Sequence, residues 1–350
     1  MELGIKFLTS RLGLNDIHCI STFSIPKLKM VQHADVLNFH ILHSNYFSYL
    51  ALPKLLRGKA GVFTLHDMWN FTGHCAYSYD CKRWETGCGK CPYLSIQPQV
   101  KRDSTALEWR LKQRIYGQIE RGAVVCPSQW LSGLAQRSIL NRFPIYTVPY
   151  GLDLDAYRPL DRDTSRRLLG IDQNKFVLLC GAANLKDTRK GGDLLMQALQ
   201  MLPLSLKSEI SLLILGSGGG IFKELEMIEA MPLGYVSSDR LKSAIFSAAD
   251  LFLFPTRADN LPLILQESMA CGTPMVSFDI GGVPDLVRHG ITGYLAKAED
   301  AQDFAAKIVQ LLEDPELRQQ MAKNCRAIAE AEYPLELQAK RYIEIYKSLR

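Results

Sequence analysis

Short apolar runs alternate with stretches of helical spacing throughout the second half of the chain. KFVLLCGA (175–182) is an unbroken apolar run of strand length, and GGDLLMQALQML (191–202) follows it as an apolar-faced helix. SLLILGSG (211–218) is a second strand, ended by glycines. SSDRLKSAIFSAAD (237–250) has a serine start and helical spacing, and LFLFPT (251–256) is a strand. LPLILQESMACG (261–272) is a helix with Gly272 past its end, and PMVSFD (274–279) is a strand. Strand and helix alternating at this spacing predict an α/β fold with a parallel, doubly wound sheet. AQDFAAKIVQLLED (301–314) and PELRQQMAKNCRAIAEAEY (315–333) close the domain as helices.

The first half is α/β as well, but less regular. ADVLNFHIL (34–42), GVFTLHD (61–67), GAVVCPS (122–128) and IYTVPYG (145–151) read as strands. LDLDAYRPLDRDTSRRLLGI (152–171) is charged and proline-punctuated, which predicts a linker and a boundary near Leu160. The expected organisation is a first domain over 1–160, a second over 161–334, and a C-terminal helix over 335–350 that packs back on the first. Open parallel sheets hold ligands at the C-terminal ends of their strands. The residues just after LLCGA, ILGSG, FLFPT, VSFD and TLHD are therefore the places to look for chemistry.

Composition narrows the class. The chain has 350 residues, 47% hydrophobic and 22% charged, normal for a globular protein with a real core. A net charge of +5 suits an anionic small molecule or a membrane surface, and no basic block of nucleic-acid type is present. No apolar run approaches the roughly 20 residues of a membrane helix. The N-terminus lacks the h-region and cleavage site of a signal peptide. A cytoplasmic setting, extending to the inner face of the cell membrane, is expected.

Two stretches at predicted strand ends carry candidate chemistry. RADNLPLILQESMACGTP (257–274) places Asp259 and Glu267 eight positions apart. If the stretch is helical from about Leu261, eight residues span roughly 12 Å, the scale of a nucleotide-sugar from ribose to hexose. Asp259 would then sit at the helix mouth, where an anion such as phosphate is also favoured, and Glu267 two turns deeper. The same acids read equally well as a helix cap and a solvated glutamate. LKDTRKGGD (185–193) sets Arg189 and Lys190 before a Gly-Gly helix start. Fixed cations at a strand end neutralise a departing diphosphate without a metal, although a solvated basic loop has the same composition. Asp153-Leu154-Asp155 is read as structural rather than metal-binding. The glycines at 216 and 218–220 lack the full dinucleotide spacing and are read as a close backbone approach to phosphate or as a turn.

HCAYSYDCKRWETGCGKCP (74–92) places Cys75, Cys81, Cys88 and Cys91 with gaps of five, six and two, ending in C-x-x-C. Four thiols so spaced suit a tetrahedral structural zinc, with free thiols or a redox pair as the alternatives. KRDSTALEWRLKQRIYGQI (101–119) is basic with Trp109 and Tyr116. It reads as a helix that rests on anionic lipid, meets a lipid-diphosphate acceptor or presents a solvated face.

The stretch from Asp259 to Val287, D-x7-E followed by SMACGTPMVSFDIGGVPDLV, resembles the E-x7-E signature of glycosyltransferase family four. FTLHDMWNFTGHC (63–75), VVCPSQWL (124–131), TVPYGLDLDAYRP (147–159), RKGGDLLMQAL (189–199) and GYVSSDRLKSAIFSAADLFLFPT (234–256) resemble the same family in order. The match runs from about Ala34 onward, and the HDMWxFTG and DNLP variants resemble exopolysaccharide enzymes, including the colanic-acid type. The resemblance implies a GT-B fold, with two Rossmann-like doubly wound domains facing a cleft. It implies a metal-independent, retaining hexosyltransferase that moves a hexosyl or deoxyhexosyl group from a UDP-, GDP- or ADP-sugar to a glycan or lipid-linked sugar. A non-catalytic nucleotide-sugar-binding remnant and a GT-B sugar-nucleotide epimerase are the alternatives.

By the same resemblance Glu267 holds the ribose, and Asp259 faces the hexose where the family usually has Glu. Asn260, Leu261, Gly281 and Gly282 line the sugar. Lys186, Arg189, Lys190 and Gly218 meet the diphosphate, Tyr235 and Val236 the base, and His66 the donor sugar from the other domain. Ala182 stands where the family often has Arg. The family's opening strand and glycine-rich loop are not found before 34, so the N-terminal domain is expected to be incomplete and the chain shortened.

Overall fold

The alternation becomes two parallel sheets, each in its own unit. In the computed structural model, which describes residues 2–350, one unit comprises the chain up to Val148 together with Lys340–Arg350, and the other Pro149–Ala339. The first unit is built on β1 (Val36–His40), β2 (Ala60–Thr64), β3 (Gly122–Cys126) and β4 (Ile145–Thr147), in the order β1-β2-β3-β4. All three pairings are parallel. β2 and β3 are buried along their whole length, as strands covered on both faces must be.

The second sheet contains β5 (Phe176–Asn184), β6 (Ile210–Ser217), β7 (Glu229–Gly234), β8 (Leu251–Phe254), β9 (Met275–Phe278) and β10 (Gly293–Ala296). Its order is β10-β9-β8-β5-β6-β7, again all parallel. β5, β8 and β9 carry the apolar runs, and apart from Phe176 at the start of β5 their Leu, Val and Phe side chains are almost wholly buried. Each such side chain contributes about 1.5–3 kcal/mol on leaving water. β7 and β10 were not among the expected strands. β7 is a half-exposed edge strand with Pro232 inside it, which only an edge tolerates, and β10 has just four residues.

The strand order reverses direction at β5, which pairs with β6 on one side and β8 on the other. The loops leaving the C-terminal ends of β5 and β8 therefore flank the switch point where open sheets place their ligands.

The expected boundary near Leu160 is displaced. The division falls at Val148–Pro149, because the charged stretch after β4 is not a free linker. Leu152, Leu154, Ala156 and Tyr157 pack on the core of the second unit, and Leu152 N–H donates to Tyr333 O. A polar lock sits beneath that core. Arg166, 1% exposed, and Arg162 both pair with Asp250, the residue before β8. In the helix Leu335–Ser348, Tyr342 and Ile345 belong to the first unit and pack with Val62, Val125 and Val148. Among the described residues no helix is long and apolar enough to cross a membrane.

Candidate functional site

The loops after β5, β8 and β9 are tied into one platform by close backbone approaches. Gly191 has φ +69°, and a Cβ there would fall 1.9 Å from Pro255 O, so only glycine admits the contact. Arg257 N–H and the Thr256 hydroxyl both donate to Arg189 O, at 2.8 and 3.1 Å. Gly281 has φ +57° and lies against Asp259, whose carbonyl accepts from Gly282 N–H at 3.1 Å.

Asp259 is fixed from both sides. Its backbone rests on the β9 loop, and its carboxylate bridges the two cations of the β5 loop. Oδ2 accepts from Lys190 Nζ at 2.6 Å and from Arg189 Nη1 at 3.3 Å. Arg189 also donates to Ala258 O at 2.8 Å. The acid and the basic pair, 69 and 70 positions apart in sequence, are thus one cluster. Asp259 is not a helix cap. The helix runs Leu263–Ala270 from Pro262, with no side-chain cap. Because 259–262 is not helical, the helical span of roughly 12 Å between the two acids does not apply.

Glu267 lies in the second turn of that helix with its side chain 14% exposed, so it is not a solvated surface glutamate. Its Oε1 accepts from Lys242 Nζ at 3.1 Å and stands 3.0 Å from the Tyr157 hydroxyl. The same hydroxyl is 2.7 Å from Asp239 Oδ1, and Lys242 is 3.1 Å from that atom too. Burial raises the Glu267 carboxyl above its ordinary value, opposed by Lys242 and Tyr157. Burial pulls the Lys242 ammonium down, but Glu267 and Asp239 outweigh it and the net shift is upward. Sequence reasoning missed Tyr157, Asp239 and Lys242. The one visible signal was the Asp-x-x-Lys pair in the first turn of the helix Asp239–Ala248.

The other expected residues divide. Gly218, at φ +84°, crowds Asn184 and the backbone N–H groups of Leu185 and Lys186, so it shapes the turn over the β5 loop. Lys186 is exposed. Asn260 is buried, and the Leu261 side chain belongs to the hydrophobic core, which leaves only the backbone of Leu261 to meet a ligand. Tyr235 is 85% exposed after β7, and Val236 packs partly on the core. Asp153 Oδ1 accepts from the N–H groups of Asp155 and Ala156, a local turn.

In the first unit, His66 follows β2 and His40 ends β1. Nδ1 of His40 and Nε2 of His66 are 3.0 Å apart. Burial pulls both rings below the usual histidine value, and His40 further disfavours charge on His66. Asp67 pairs with His43 at 2.9 Å and accepts from Trp69 N–H. Cys75, Cys81, Cys88 and Cys91, together with His74, line one cavity of about 20 Å³. Cys88 Sγ accepts from Gly73 N–H, and Cys91 Sγ from Tyr93 N–H while standing 3.4 Å from His74 Nε2. As the side chains stand, no group of three or more His, Cys, Asp or Glu among the described residues is set to hold a metal ion.

The lipid reading of 101–119 loses its aromatic contacts. In the helix Thr105–Gly117 both Trp109 and Tyr116 are buried, and Trp109 Nε1–H donates to Trp84 O. Lys112 is buried as well, donating to Trp69 O and Thr72 O.

Residues 161–328 match the family model for glycosyl transferases group 1. A D-inositol 3-phosphate glycosyltransferase of Catenulispora acidiphila is 34% identical over 188 residues, which is 49% of this chain and 44% of the relative. The putative colanic acid biosynthesis glycosyl transferase WcaC of Escherichia coli is 28% identical over 258 residues, 69% of this chain and 59% of the relative. The chain spans about half the length of the curated relatives it matches. Among solved structures, sucrose-phosphate synthase of Thermosynechococcus elongatus has a TM-score of 0.72 at 19% identity, over 95% of this chain and 78% of that one. Anabaena HepE in complex with UDP has a TM-score of 0.67 at 20% identity, over 92% and 81%. At that identity the likeness is one of fold. It is the GT-B pattern of two parallel-sheet Rossmann-like domains, and the residues that match the group 1 model lie within the second unit.

Proposed function

We propose that this chain, whose second unit holds the residues that match the group 1 model, is a retaining glycosyltransferase using a nucleotide-sugar donor. The reading rests on one observation above the others. Within the matched segment, Asp259, Arg189 and Lys190 stand together on the loops that flank the sheet's switch point, and Glu267 on the helix that follows β8. Glu267 is assigned to the ribose diol, Arg189 and Lys190 to the diphosphate, and Asp259 to the junction of diphosphate and sugar. Gly281, Gly282, Asn260 and the Leu261 backbone line the sugar, and Tyr235 and Val236 face the base. In the first unit His66 is assigned to a sugar hydroxyl. Departure of the diphosphate develops negative charge that fixed cations stabilise without reorganising. No residue in this scheme has to coordinate a catalytic metal.

A hexosyl or deoxyhexosyl group delivered to a cell-surface polysaccharide or its lipid-linked precursor fits the reach of the matches. The likeness to the colanic-acid relative extends over 69% of the chain, whereas the inositol-phosphate relative covers 49%. Solved neighbours hold UDP and UDP-glucose, which makes UDP the first nucleotide to try. The test is a thermal-shift and binding panel with UDP, GDP and ADP, with Glu267→Ala beside the wild type. Two hydroxyl-to-carboxylate bonds at about 1.5–3 kcal/mol each mean that the variant should lose affinity by roughly a hundredfold or more. Unchanged affinity in a folded variant would remove the ribose assignment. Binding with no transfer to any acceptor would favour a non-catalytic role.

For the cysteine loop we propose a structural zinc. The gathering of four thiols on one small cavity supports it, and a tetrahedral set requires them to turn inward and lose their protons. Protein purified without added metal should carry about one zinc per chain, and Cys81→Ser less. A wild-type preparation essentially free of zinc would overturn this assignment.

A further inference from the structure

Around Glu267 the donors and acceptors do not balance. A phenol carries one O–H, and two ionised carboxylates are acceptors only. The Tyr157 hydroxyl nevertheless lies within reach of both, at 2.7 Å from Asp239 Oδ1 and 3.0 Å from Glu267 Oε1. Its proton serves one carboxylate at a time, and the shorter contact belongs to Asp239. Lys242 is equidistant from the same two oxygens, 3.1 Å from each, with its ammonium 5.0 Å from the centre of the Tyr157 ring.

We propose that Tyr157 is a positioning residue for the ligand-binding carboxylate of Glu267, and that Asp239 governs it by competing for the single phenolic proton. The inference rests on the assignment of Glu267 to the ribose and goes beyond it, since it says what tunes that acid. Tyr157 and Asp239 touch no ligand in this scheme. They decide how completely Glu267 is supplied with donors before a diol arrives with two hydroxyls of its own.

The surroundings limit what else can act on Glu267. Lys242 and Asp239 face it from the helix Asp239–Ala248, and Tyr157 from the segment after β4. Cys271 lies just beyond the C-terminus of its own helix, a thiol raised to about 12 by burial and therefore neutral. Arg326, on the helix Pro315–Glu332, donates to the carbonyls of Tyr157 and Ala270, at 2.8 and 3.0 Å. Burial and both carboxylates push the Tyr157 phenol above its ordinary value, so it keeps its proton across the pH range of the test.

Opposite effects follow from two small substitutions. Tyr157→Phe keeps the buried ring and deletes the hydroxyl, so Glu267 loses a donor and its carboxyl rises further. Asp239→Asn removes the competing charge, so the phenolic proton swings to Glu267 and its carboxyl falls. Diol binding needs the ionised acid, and affinity is lost as pH drops through the Glu267 value. The midpoint of that loss should move to higher pH in Tyr157→Phe and to lower pH in Asp239→Asn, each by about half a pH unit or more. The UDP dissociation constant, measured by calorimetry from about pH 4 to pH 8, reads this directly, with ligand-free melting curves as the folding control.

Midpoints that move together, or not at all, would overturn the proposal. If Glu267→Ala still binds UDP as wild type, the ribose assignment fails first, and that failure is distinct. Should Tyr157→Phe fold poorly, Asp239→Asn decides alone. Its side chain is 54% exposed, and an unshifted midpoint there is sufficient to reject the competition.

Discussion

Asp250→Ala should destabilise the second unit by about 3–5 kcal/mol, the cost of stranding a buried charge. Asp250 is 6% exposed on its side chain, and it answers three donors. Oδ2 accepts from Arg166 Nη2–H at 2.8 Å and from Val177 N–H at 2.7 Å, and Oδ1 from Arg162 Nη2–H at 2.5 Å. The remaining bonds of Arg166 go to the carbonyls of Ala248, Gln173 and Lys175, so its guanidinium cannot swing out to water without breaking three more. Removing the carboxylate leaves that cation uncompensated and the first N–H of the β5 interior without an acceptor.

Two companion variants separate these terms. Arg162 is half exposed, and Arg162→Ala should cost less than about 1 kcal/mol. Asp250→Asn keeps an acceptor for Val177 but drops the charge, and should fall between. Urea unfolding followed by circular dichroism measures all three. A loss below about 1 kcal/mol in Asp250→Ala would show that the lock adds little beyond a surface pair. Because Asp250 immediately precedes β8, at the end opposite its ligand loop, the folded fraction of each variant should bind nucleotide as the wild type does.

The same lock shows where sequence reading stops. The apolar runs that became β5, β6, β8 and β9 were legible because burial on both faces leaves them almost wholly apolar, with only the small hydroxyls of Ser211 and Ser277 inside β6 and β9. β7 was not, because an edge strand with Glu229 and Pro232 has the composition of a loop. The stretch after β4 reads as a linker by its charges and prolines, yet Leu152, Leu154 and Tyr157 are drawn into the core by contacts their neighbours do not reveal. Lys112 counts as a surface lysine in any composition, but it is held inside by the carbonyls of Trp69 and Thr72 and pulled down to about 8 by burial. For the candidate site, local motifs singled out Asp259, Glu267, Arg189 and Lys190, and the fold brings Asp259 onto both cations. The partners of Glu267 were out of reach, since Tyr157 lies 110 positions away and only the folded sheet brings it there.

The second large effect concerns the cluster of Asp259, Arg189 and Lys190. Lys190→Ala should lower the rate of donor cleavage, read as release of nucleoside diphosphate, by about 10²–10³-fold, the usual result of deleting one fixed charge-stabilising donor. Asp259 Oδ2 stands 2.6 Å from Lys190 Nζ, and this contact gives the acid one of two jobs. It either aims the cations at the diphosphate, or it acts on the sugar independently of them. A double-mutant cycle separates the two. If Asp259 works through the cations, Asp259→Ala and Asp259→Ala/Lys190→Ala should be nearly as slow as Lys190→Ala, because groups that act as one unit do not lose their effects twice. If it works on the sugar, the losses should multiply. The backbone of Asp259 is pinned by Gly282 and cannot follow a longer side chain, so Asp259→Glu should push the carboxylate past Lys190. Under the first reading that substitution slows cleavage of every donor alike. Under the second it changes which sugar is preferred. The geometry, with both cations on one carboxylate oxygen, favours the first.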